Sequence, residues 1–208
     1  MNARRLYRNS IVMTSPQALV LASHSDSRRA LLDKLQLAYT SLAPGIDETS
    51  LPEEAPESLV RRLSEAKARK IAERMPEAIV IGSDQVACYE GRALGKPGNP
   101  ESALQQLRTF SGKQVNFLSG LCVMNPSRGT CHLAVETCLV EFRALSDDQI
   151  RAYLQIDRPF QCAGAFKSEG LGISLVRSIR CDDPNVLVGL PLIRLIDFLA
   201  REGVTVLG

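Results

Sequence analysis

The sequence has few histidines and lacks the common nucleotide-binding motifs. His24 and His132 are its two histidines, and neither has a partner at nucleophile–base or metal-ligand spacing. This scarcity argues against a serine or cysteine catalytic triad. The chain also contains no G-x-G-x-x-G and no G-x-x-x-x-G-K-[ST]. The usual dinucleotide-binding and P-loop interpretations are therefore excluded.

Long apolar runs and paired cysteine motifs are absent as well. No window reaches the roughly 18 uninterrupted apolar residues that a membrane-spanning helix requires, so the sequence predicts no membrane partner. The six cysteines form no C-x-x-C pair and have no histidine at zinc-finger spacing. This pattern predicts reduced, mostly buried thiols in a cytoplasmic protein, rather than disulfides or a zinc site.

Most of the chain has no excess of either charge. The net charge of +2 includes Arg4, Arg5 and Arg8, which precede Met13 without any acidic residue. The rest of the chain is close to neutral, so nucleic acid is not expected as a partner. We predict a disordered extension over residues 1–15 and a single domain over residues 16–208, which is long enough to bury its own core.

The chain does contain alternating strand and helix patterns. The apolar runs "ALVLAS" (18–23) and "AIVIGSDQVA" (78–87) predict buried strands. Apolar residues at helical spacing predict a long helix from about Glu57 to Met75. Extended segments over 114–124 and 132–144 flank the turn "NPSRG" and predict a hairpin. Together these patterns indicate an α/β fold.

Capping signals mark two more helix starts. Asn99 is the predicted N-cap of a helix with Pro100 at its first position. Ser146 and Gln149 form a capping-box pattern that opens a helix to about Gln155. A final amphipathic helix is predicted near the end of the chain.

Four polar clusters follow strand ends or lie in loops. Such clusters can meet, because ligands of open α/β sheets bind outside the carboxyl ends of the strands. The first cluster contains hydroxyls and guanidinium groups at the start of a helix, a combination that suits a phosphate. Its members are Ser23, Ser25, Ser27, Arg28 and Arg29. A serine-capped helix with two solvated arginines is the alternative interpretation.

Two further clusters are acidic. Asp47 and Glu48 lie in the loop "APGIDETSLPEEAP", where they either hold a divalent cation or are simply solvated. Ser83, Asp84 and Gln85 emerge from a buried strand. A carboxylate there requires a cation, a proton or a metal, because an isolated buried charge is costly.

The fourth cluster is basic and comprises Lys67, Lys96 and Lys167. Lys67 lies one turn from both Leu63 and Ile71, so it points inward or extends along the edge of the core. Lys96 lies in the loop "LGKPG", where a turn alone would explain the glycines. Hydroxyls, cations and carboxylates without histidine are typical of metal-assisted hydrolysis of a phosphate ester or anhydride.

In their order and spacing these clusters resemble the Maf-like nucleoside triphosphate pyrophosphatases, most closely the YceF-type branch. "LASHSDSRRALL" (21–32) is similar to the family signature LAS-x-SPRR-x-LL. "IDET", "EAKA", "GSDQV", "GKP" and "CAGAFKSEGLG" follow in the order that the family has. The resemblance covers nearly the whole chain from about Ala18, and five motifs in series make it specific.

The resemblance implies an α/β fold with an elongated mixed sheet, flanking helices and two lobes around a central cleft. This architecture is similar to that of the inosine triphosphate pyrophosphatases. The implied reaction converts a nucleoside triphosphate to its monophosphate and diphosphate, with Mg²⁺ or Mn²⁺ as the divalent cation. In the YceF-type branch the substrate is 7-methyl-GTP. Hydrolysis of dTTP, UTP or noncanonical purines, a nucleotide-binding regulator of cell division, and a homodimer are left open.

The family's functional positions fall on matching residues of this chain. The resemblance implies that Asp84 accepts the proton of the attacking water and that Glu48 and Asp84 are metal ligands. The triphosphate site would contain Ser23, Arg28, Lys67 and Lys96. Substrate choice would depend on Ser27, Gln85 and Glu169.

Two residues in these motifs have a physical interpretation of their own. The carboxylate of Glu169 can accept hydrogen bonds from the N1–H and the exocyclic amine of guanine, and it favours the positive charge of an N7-methylated purine. Asp26 stands where the family has proline. We expect Asp26 to serve as the N-cap and to pair with Arg28 in competition with phosphate, so that Asp26→Pro would lower KM.

Overall fold

The computed structural model describes residues 17–207, so the extension predicted for residues 1–15 lies outside the described residues. Within the described range the chain forms seven β-strands and five α-helices. In chain order they are β1 (Leu19–Leu21), α1 (Asp26–Asp33), β2 (Thr40–Ser41), α2 (Pro56–Ala72), β3 (Ile79–Tyr89), β4 (Arg92–Leu94), α3 (Pro100–Phe110), β5 (Gln114–Asn125), β6 (Thr130–Phe142), α4 (Asp147–Asp157), β7 (Val176–Arg180) and α5 (Leu192–Arg201).

The strands form one mixed sheet in the order β2, β1, β3, β5, β6, β7, with β4 paired to the outer part of β3. β1 runs parallel to β2 and β3, whereas the β3–β5, β5–β6 and β6–β7 pairs are antiparallel. The predicted hairpin of β5 and β6 is confirmed. The predicted fold class, an α/β mixed sheet with flanking helices, is confirmed as well.

Helices cover both faces of the sheet. Alternate strand residues point to opposite faces, so the apolar residues of a strand need packing partners on both sides. On one face, Leu21 and Ile81 pack with α1 and α5 in one apolar cluster. On the other face, Val20 and Val80 pack against α2. The first half of β3 is fully buried for this reason, with Ile79, Val80 and Ile81 all at 0% exposure.

A separate apolar cluster fills the opposite end of the sheet, under α3 and α4. It includes Phe110, Phe117, Phe142 and Phe166, whose rings lie 5.3–5.4 Å apart in successive pairs. The middle of β3 lies between the two ends and carries residues 83–85. The two-lobed single domain over residues 16–208 stays a prediction.

Glycines in the middle of the sheet let α2 approach closely. A Cβ atom on Gly82 would lie 2.8 Å from the backbone nitrogen of Ala68 and would also clash with the carbonyl oxygen of Ser64. A Cβ atom on Gly120 would clash with the carbonyl of Val60. The absence of side chains at these two positions therefore sets the distance between α2 and the sheet.

Local signals located most helix boundaries correctly. The Asn99 side chain caps α3, and Ser146 and Gln149 form the predicted capping box of α4. α2 ends at Ala72, three residues before the predicted end. The prediction of mostly buried thiols is wrong, because Cys131 is exposed and three other cysteines are half-buried. No helix among the described residues combines the length and apolarity needed to cross a bilayer.

Candidate active site

A cleft of about 870 Å³ opens where β1, β3 and the start of α1 meet the segments around residues 44–50, 95–96 and 161–169. Its volume suits a nucleotide-sized ligand. The structure brings all nine residues that the family resemblance assigns to the site to the wall of this cleft. They are Ser23, Ser27, Arg28, Glu48, Lys67, Asp84, Gln85, Lys96 and Glu169.

Lys67 and two carboxylates form the buried centre of the cleft. The Lys67 Nζ atom lies 2.7 Å from Asp84 Oδ1 and 2.8 Å from Glu48 Oε1. The side chains of Lys67 and Asp84 are only 4% and 8% exposed. The inward orientation of Lys67 is thus confirmed, and its ammonium provides the cation that a buried Asp84 requires.

The fold explains how these three side chains meet. Lys67 shares the buried face of α2 with Leu63 and Ile71, and the close approach at Gly82 and Gly120 brings this face onto β3. Asp84 follows the apolar first half of β3. Glu48 reaches the ammonium from the loop that precedes α2.

Burial and charge act in opposite directions on two ionisable groups of the cleft. Burial raises the pKa of Glu48, but the hydrogen bond and charge of Lys67, with Lys96 and Arg28, keep this pKa below its ordinary value. Burial lowers the pKa of Arg28, and the carboxylates of Asp84 and Glu48 oppose that shift. The groups of the cleft therefore influence one another electrostatically.

The start of α1 shapes one wall of the cleft. Ser25 caps the helix by accepting a hydrogen bond from the backbone nitrogen of Arg28 at 3.3 Å. The hydroxyl of Ser23 accepts from the backbone nitrogen of Ser25 at 3.0 Å. Arg28 enters the cleft, where its Nε donates to the carbonyl oxygen of Gly189 at 2.7 Å.

Asp26 does not behave as we expected from the sequence. Ser25 is the N-cap, and Asp26 occupies the first position of α1. The Asp26 carboxylate pairs with Arg29 rather than Arg28, and both of these side chains are largely exposed. The expected competition between Asp26 and phosphate for Arg28 is therefore wrong, and Arg29 takes no part in lining the cleft.

The three residues predicted to govern substrate choice all line the cleft. The Ser27 hydroxyl donates to Glu169 Oε1 at 3.1 Å, although the two residues are 142 positions apart. The Gln85 Nε2 atom donates to the carbonyl oxygen of Val186 at 2.6 Å. The cleft therefore presents a carboxylate and a fixed carboxamide.

Besides Arg29, the candidates Asp47, Ser83 and Lys167 do not line the cleft. Asp47 is exposed, and its carboxylate accepts from the backbone nitrogen of Thr49 at 2.9 Å. Hydrogen bonding to the side chain and to the backbone of Thr49 keeps the pKa of Asp47 below its ordinary value. Of Asp47 and Glu48, only Glu48 lines the cleft.

Sequence reasoning named Ser83 but missed Ser119 and the contacts that both serines make behind the cleft wall. Ser119 donates to the carbonyl oxygen of Val186 at 2.8 Å. Ser83 Oγ lies 2.7 Å from the carbonyl oxygen of Gly120 and 2.9 Å from that of Gly189, which share its single proton. The segment "DDPNVLVG" (182–189) carries the turn signal D-P-N, which predicts a turn but not where its carbonyls point. A serine in a buried strand likewise does not indicate which carbonyl group its hydroxyl will bind.

Glu48 and Asp84 suit a hard divalent cation that is shared with substrate. Each uses one oxygen for Lys67, and the second oxygen has no hydrogen-bond partner among residues 17–207. The described residues include no group of three or more acidic, histidine or cysteine side chains that could hold a metal ion by itself. Mg²⁺ is commonly bound by one or two carboxylates with phosphates and waters. The donor set therefore fits Mg²⁺ or Mn²⁺.

Comparison with solved structures shows the same fold in a distant protein. The Staphylococcus aureus Ham1 protein aligns with a TM-score of 0.52 at 14% sequence identity. The alignment covers 89% of this chain and 100% of the Ham1 chain. This similarity concerns the fold alone.

Comparisons of sequence reach much nearer relatives. The Nitrosococcus oceani protein named 7-methyl-GTP pyrophosphatase is 53% identical over 193 residues, which is 93% of this chain and 97% of the relative. The Pseudomonas aeruginosa protein of that name is 51% identical over 188 residues, 90% and 98% of the respective chains. The family model described as "Maf-like protein" matches residues 18–202, the range that contains every cleft residue. The chain belongs to the Maf-like family, as its motifs predicted.

Proposed function

We propose that this protein is a nucleoside triphosphate pyrophosphatase that hydrolyses 7-methyl-GTP to 7-methyl-GMP and diphosphate. The observation that carries the proposal is the buried ammonium of Lys67 between Asp84 and Glu48, in a nucleotide-sized cleft. The relatives that share about half of its sequence, named 7-methyl-GTP pyrophosphatase, support the same assignment.

The charges of the cleft support a substrate that arrives with a divalent cation. The cations that line the cleft are Arg28, Lys67 and Lys96, and the carboxylates are Glu48, Asp84 and Glu169. The carboxylate of Asp26 also lies there, but it is paired with Arg29. These groups balance, whereas a triphosphate adds several negative charges. Mg²⁺ or Mn²⁺ at Glu48 and Asp84 would neutralise phosphate charge and supply Lewis-acid assistance.

The chain's own groups account for the remaining steps. Arg28, Lys67 and Lys96 bind the phosphate oxygens, with Ser23 beside them, and hold the α-phosphorus near Asp84. Asp84 accepts a proton from water while the water oxygen forms its bond to the α-phosphorus. The bond between the α-phosphorus and the bridging oxygen breaks, and diphosphate leaves with the electron pair. Lys67 holds the Asp84 carboxylate in place for its role as the base.

Glu169 carries the base preference in this proposal. Its carboxylate, held by Ser27, accepts from the N1–H and the exocyclic amine of the guanine base and attracts the positive charge of the 7-methylpurine. Uracil and thymine do not offer this pair of adjacent donors.

Free cysteines support a cytoplasmic location for the enzyme.

A diphosphate-release assay tests the proposal directly. Turnover of 7-methyl-GTP, GTP, UTP and dTTP is measured side by side with Mg²⁺ and with Mn²⁺. We expect 7-methyl-GTP to have the highest kcat/KM. Faster hydrolysis of UTP or dTTP would reject the proposed substrate. Nucleotide binding without diphosphate release would identify a regulator instead of an enzyme.

A further inference from the structure

We infer that Ser119 is a positioning residue for base selection, acting on Gln85 through the carbonyl group of Val186. Ser83 acts in the same way on Arg28 through the carbonyl group of Gly189. Neither serine contacts the substrate in this arrangement. The inference rests on the proposed function and adds the residues that orient two of its cleft side chains.

The contact at Val186 joins the sheet, the loop and the cleft. Gln85 on β3 and Ser119 on β5 are direct partners across the strand pair. Both donate to the carbonyl oxygen of Val186, Gln85 Nε2 at 2.6 Å and Ser119 Oγ at 2.8 Å. Ser119 is fully buried, so its hydroxyl is committed to this carbonyl and not to water. Ser119 therefore fixes the oxygen to which Gln85 donates.

The shared carbonyl determines which end of the Gln85 carboxamide is free. A carbonyl oxygen can only accept, so it binds the amide nitrogen of Gln85 and leaves the Oε1 atom for other partners. Oε1 has no hydrogen-bond partner among the described residues. Gln85 therefore offers an acceptor to a ligand in the cleft. Together with the Glu169 carboxylate, this favours a base edge rich in donors, such as that of guanine.

The carbonyl oxygen of Gly189, in the same loop, also lies within hydrogen-bond distance of two side chains. The oxygen of Gly189 accepts from Arg28 Nε at 2.7 Å and lies 2.9 Å from Ser83 Oγ, whose single proton it shares with the carbonyl oxygen of Gly120 at 2.7 Å. Gly189 has φ = +104°, and a Cβ atom there would lie 3.4 Å from Arg28 Nε. A side chain at this position would therefore be strained and would crowd the guanidinium group. Ser83 and Gly189 thus position the cation assigned to the triphosphate.

The loop that carries both carbonyls is held at its start. Asp183 is buried, and its Oδ1 atom accepts from the backbone nitrogen of Asn185 at 2.8 Å. Its Oδ2 atom accepts from the backbone nitrogen of Ile193 in the first turn of α5 at 2.9 Å. These bonds tie the loop to α5, while Ser119 and Ser83 tie it to the sheet. The loop thus holds Gln85 through the carbonyl group of Val186 and Arg28 through the carbonyl group of Gly189.

The two serines should therefore differ in their effect on substrate choice. Loss of the Ser119 hydroxyl loosens Gln85 and should weaken discrimination between bases. Loss of the Ser83 hydroxyl loosens Arg28, which contacts a part that all nucleoside triphosphates share. A general loss of stability would not produce this difference. The contrast between the variants separates positioning from a merely structural role.

The test measures kcat and KM for 7-methyl-GTP and UTP in the full-length protein. In Ser119→Ala the ratio of kcat/KM values for 7-methyl-GTP over UTP should fall about fivefold, the effect of one net hydrogen bond, mainly through a higher KM for 7-methyl-GTP. Ser83→Ala should lower kcat/KM for both nucleotides alike. Ser119→Thr keeps the hydroxyl and should restore the ratio. Ser64→Ala is the matched control, because Ser64 is also buried and donates to a backbone carbonyl, that of Val60 at 2.6 Å.

Another variant and a spectroscopic measurement test the inference if Ser119→Ala does not fold or if 7-methyl-GTP is not the preferred substrate. If Ser119→Ala does not fold, Ser119→Cys, which keeps the volume and a weak donor, should give a smaller fall. The side-chain amide resonances of Gln85 should shift in the Ser119 variant and stay in place in Ser64→Ala. An unchanged ratio together with unchanged Gln85 resonances in a folded Ser119 variant overturns the inference. A wild-type enzyme that prefers UTP rejects the proposed substrate, while the Gln85 resonances still test the positioning.

Discussion

Lys67 is the residue on which the charge balance of the cleft depends. Its ammonium neutralises Asp84 and Glu48 at 2.7 and 2.8 Å, and the Lys67 and Asp84 side chains are almost fully buried. Removal of one partner from such a group leaves an uncompensated buried charge. Lys67 therefore contributes to stability and, in the proposed function, to substrate binding.

Lys67→Met should lower the free energy of unfolding by about 3 kcal/mol at neutral pH, because two carboxylates lose their cation. The loss should shrink as the pH falls, since Glu48, whose pKa Lys67 holds below its ordinary value, becomes protonated. Urea denaturation at two pH values measures both effects. Lys70→Met is the control: Lys70 lies on the exposed side of the same helix and should change stability by less than about 0.5 kcal/mol. An equal loss in both variants would contradict this role for Lys67.

Asp84→Asn should reduce kcat by about 10²- to 10⁴-fold, the range expected when a general base is removed. Nucleotide binding should persist, because Arg28, Lys67 and Lys96 remain in place. Diphosphate release measures kcat, and calorimetric titration with 7-methyl-GTP measures binding. Wild-type turnover in Asp84→Asn would show that another group accepts the proton.

Asp26 shows how a local sequence argument can go wrong at one residue. Its position two residues before Arg28 suggested an ion pair, but residues two apart on a helix do not face each other. The carboxylate instead meets Arg29, three residues on. Asp26→Ala should therefore leave the KM for 7-methyl-GTP within about twofold of wild type, as expected for an exposed pair. A large fall in KM in steady-state assays would restore the original expectation.

At the scale of elements, the contact between α2 and the sheet determines where Lys67 lies. Gly120→Ala places a methyl group against the Val60 carbonyl of α2. The helix must shift, so the variant should lose about 3 kcal/mol of stability and show a higher KM for nucleotides. Thermal unfolding and steady-state kinetics measure the two effects. Gly95→Ala, where a Cβ atom meets nothing within 4 Å, should keep its stability and serves as the control for that measurement.

The sequence predicted the elements whose signals are local. The caps at Asn99 and Ser146 bond to residues three positions away, so the pattern specifies them directly. The strands β2, β4 and β7 have 2, 3 and 5 residues, and sequence reasoning did not find them. β2 and β7 pair with strands that are distant along the chain, whereas β4 pairs with the end of β3 across a tight turn. Strands this short have little periodicity of their own.

At the scale of the whole molecule, the cleft combines segments that are distant in sequence. Residue chemistry alone left Glu48, Lys67 and Arg28 with alternative interpretations, and the order of motifs supplied the family resemblance that singled them out. Ser119 and the carbonyls of Val186 and Gly189 belong to no such motif. Their contribution depends on where a loop lies against the sheet, which is a tertiary property.

A second buried network lies around Glu202, just after the end of α5. Glu202 is almost fully buried, and its carboxylate lies 2.7 Å from Asn125 Nδ2, 2.7 Å from Thr130 Oγ1 and 2.8 Å from His132 Nε2. Burial raises the pKa of Glu202, but the hydrogen bonds outweigh it, so the pKa lies below its ordinary value of 4.5. The network joins β5 and β6 to the end of α5.

This network should make global stability sensitive to acid. A carboxyl group whose pKa is lower in the folded than in the unfolded state binds fewer protons when folded, so its contribution is present above pH 4.5 and disappears as the pH falls through the folded-state pKa. In Glu202→Gln the free energy of unfolding should be lower than in the wild type at neutral pH, and this difference should shrink below pH 4.5. Urea denaturation across this range measures the difference. The exposed Glu53→Gln should show none, and a difference for Glu202→Gln that stays constant with pH would show that the Glu202 charge does not stabilise the fold.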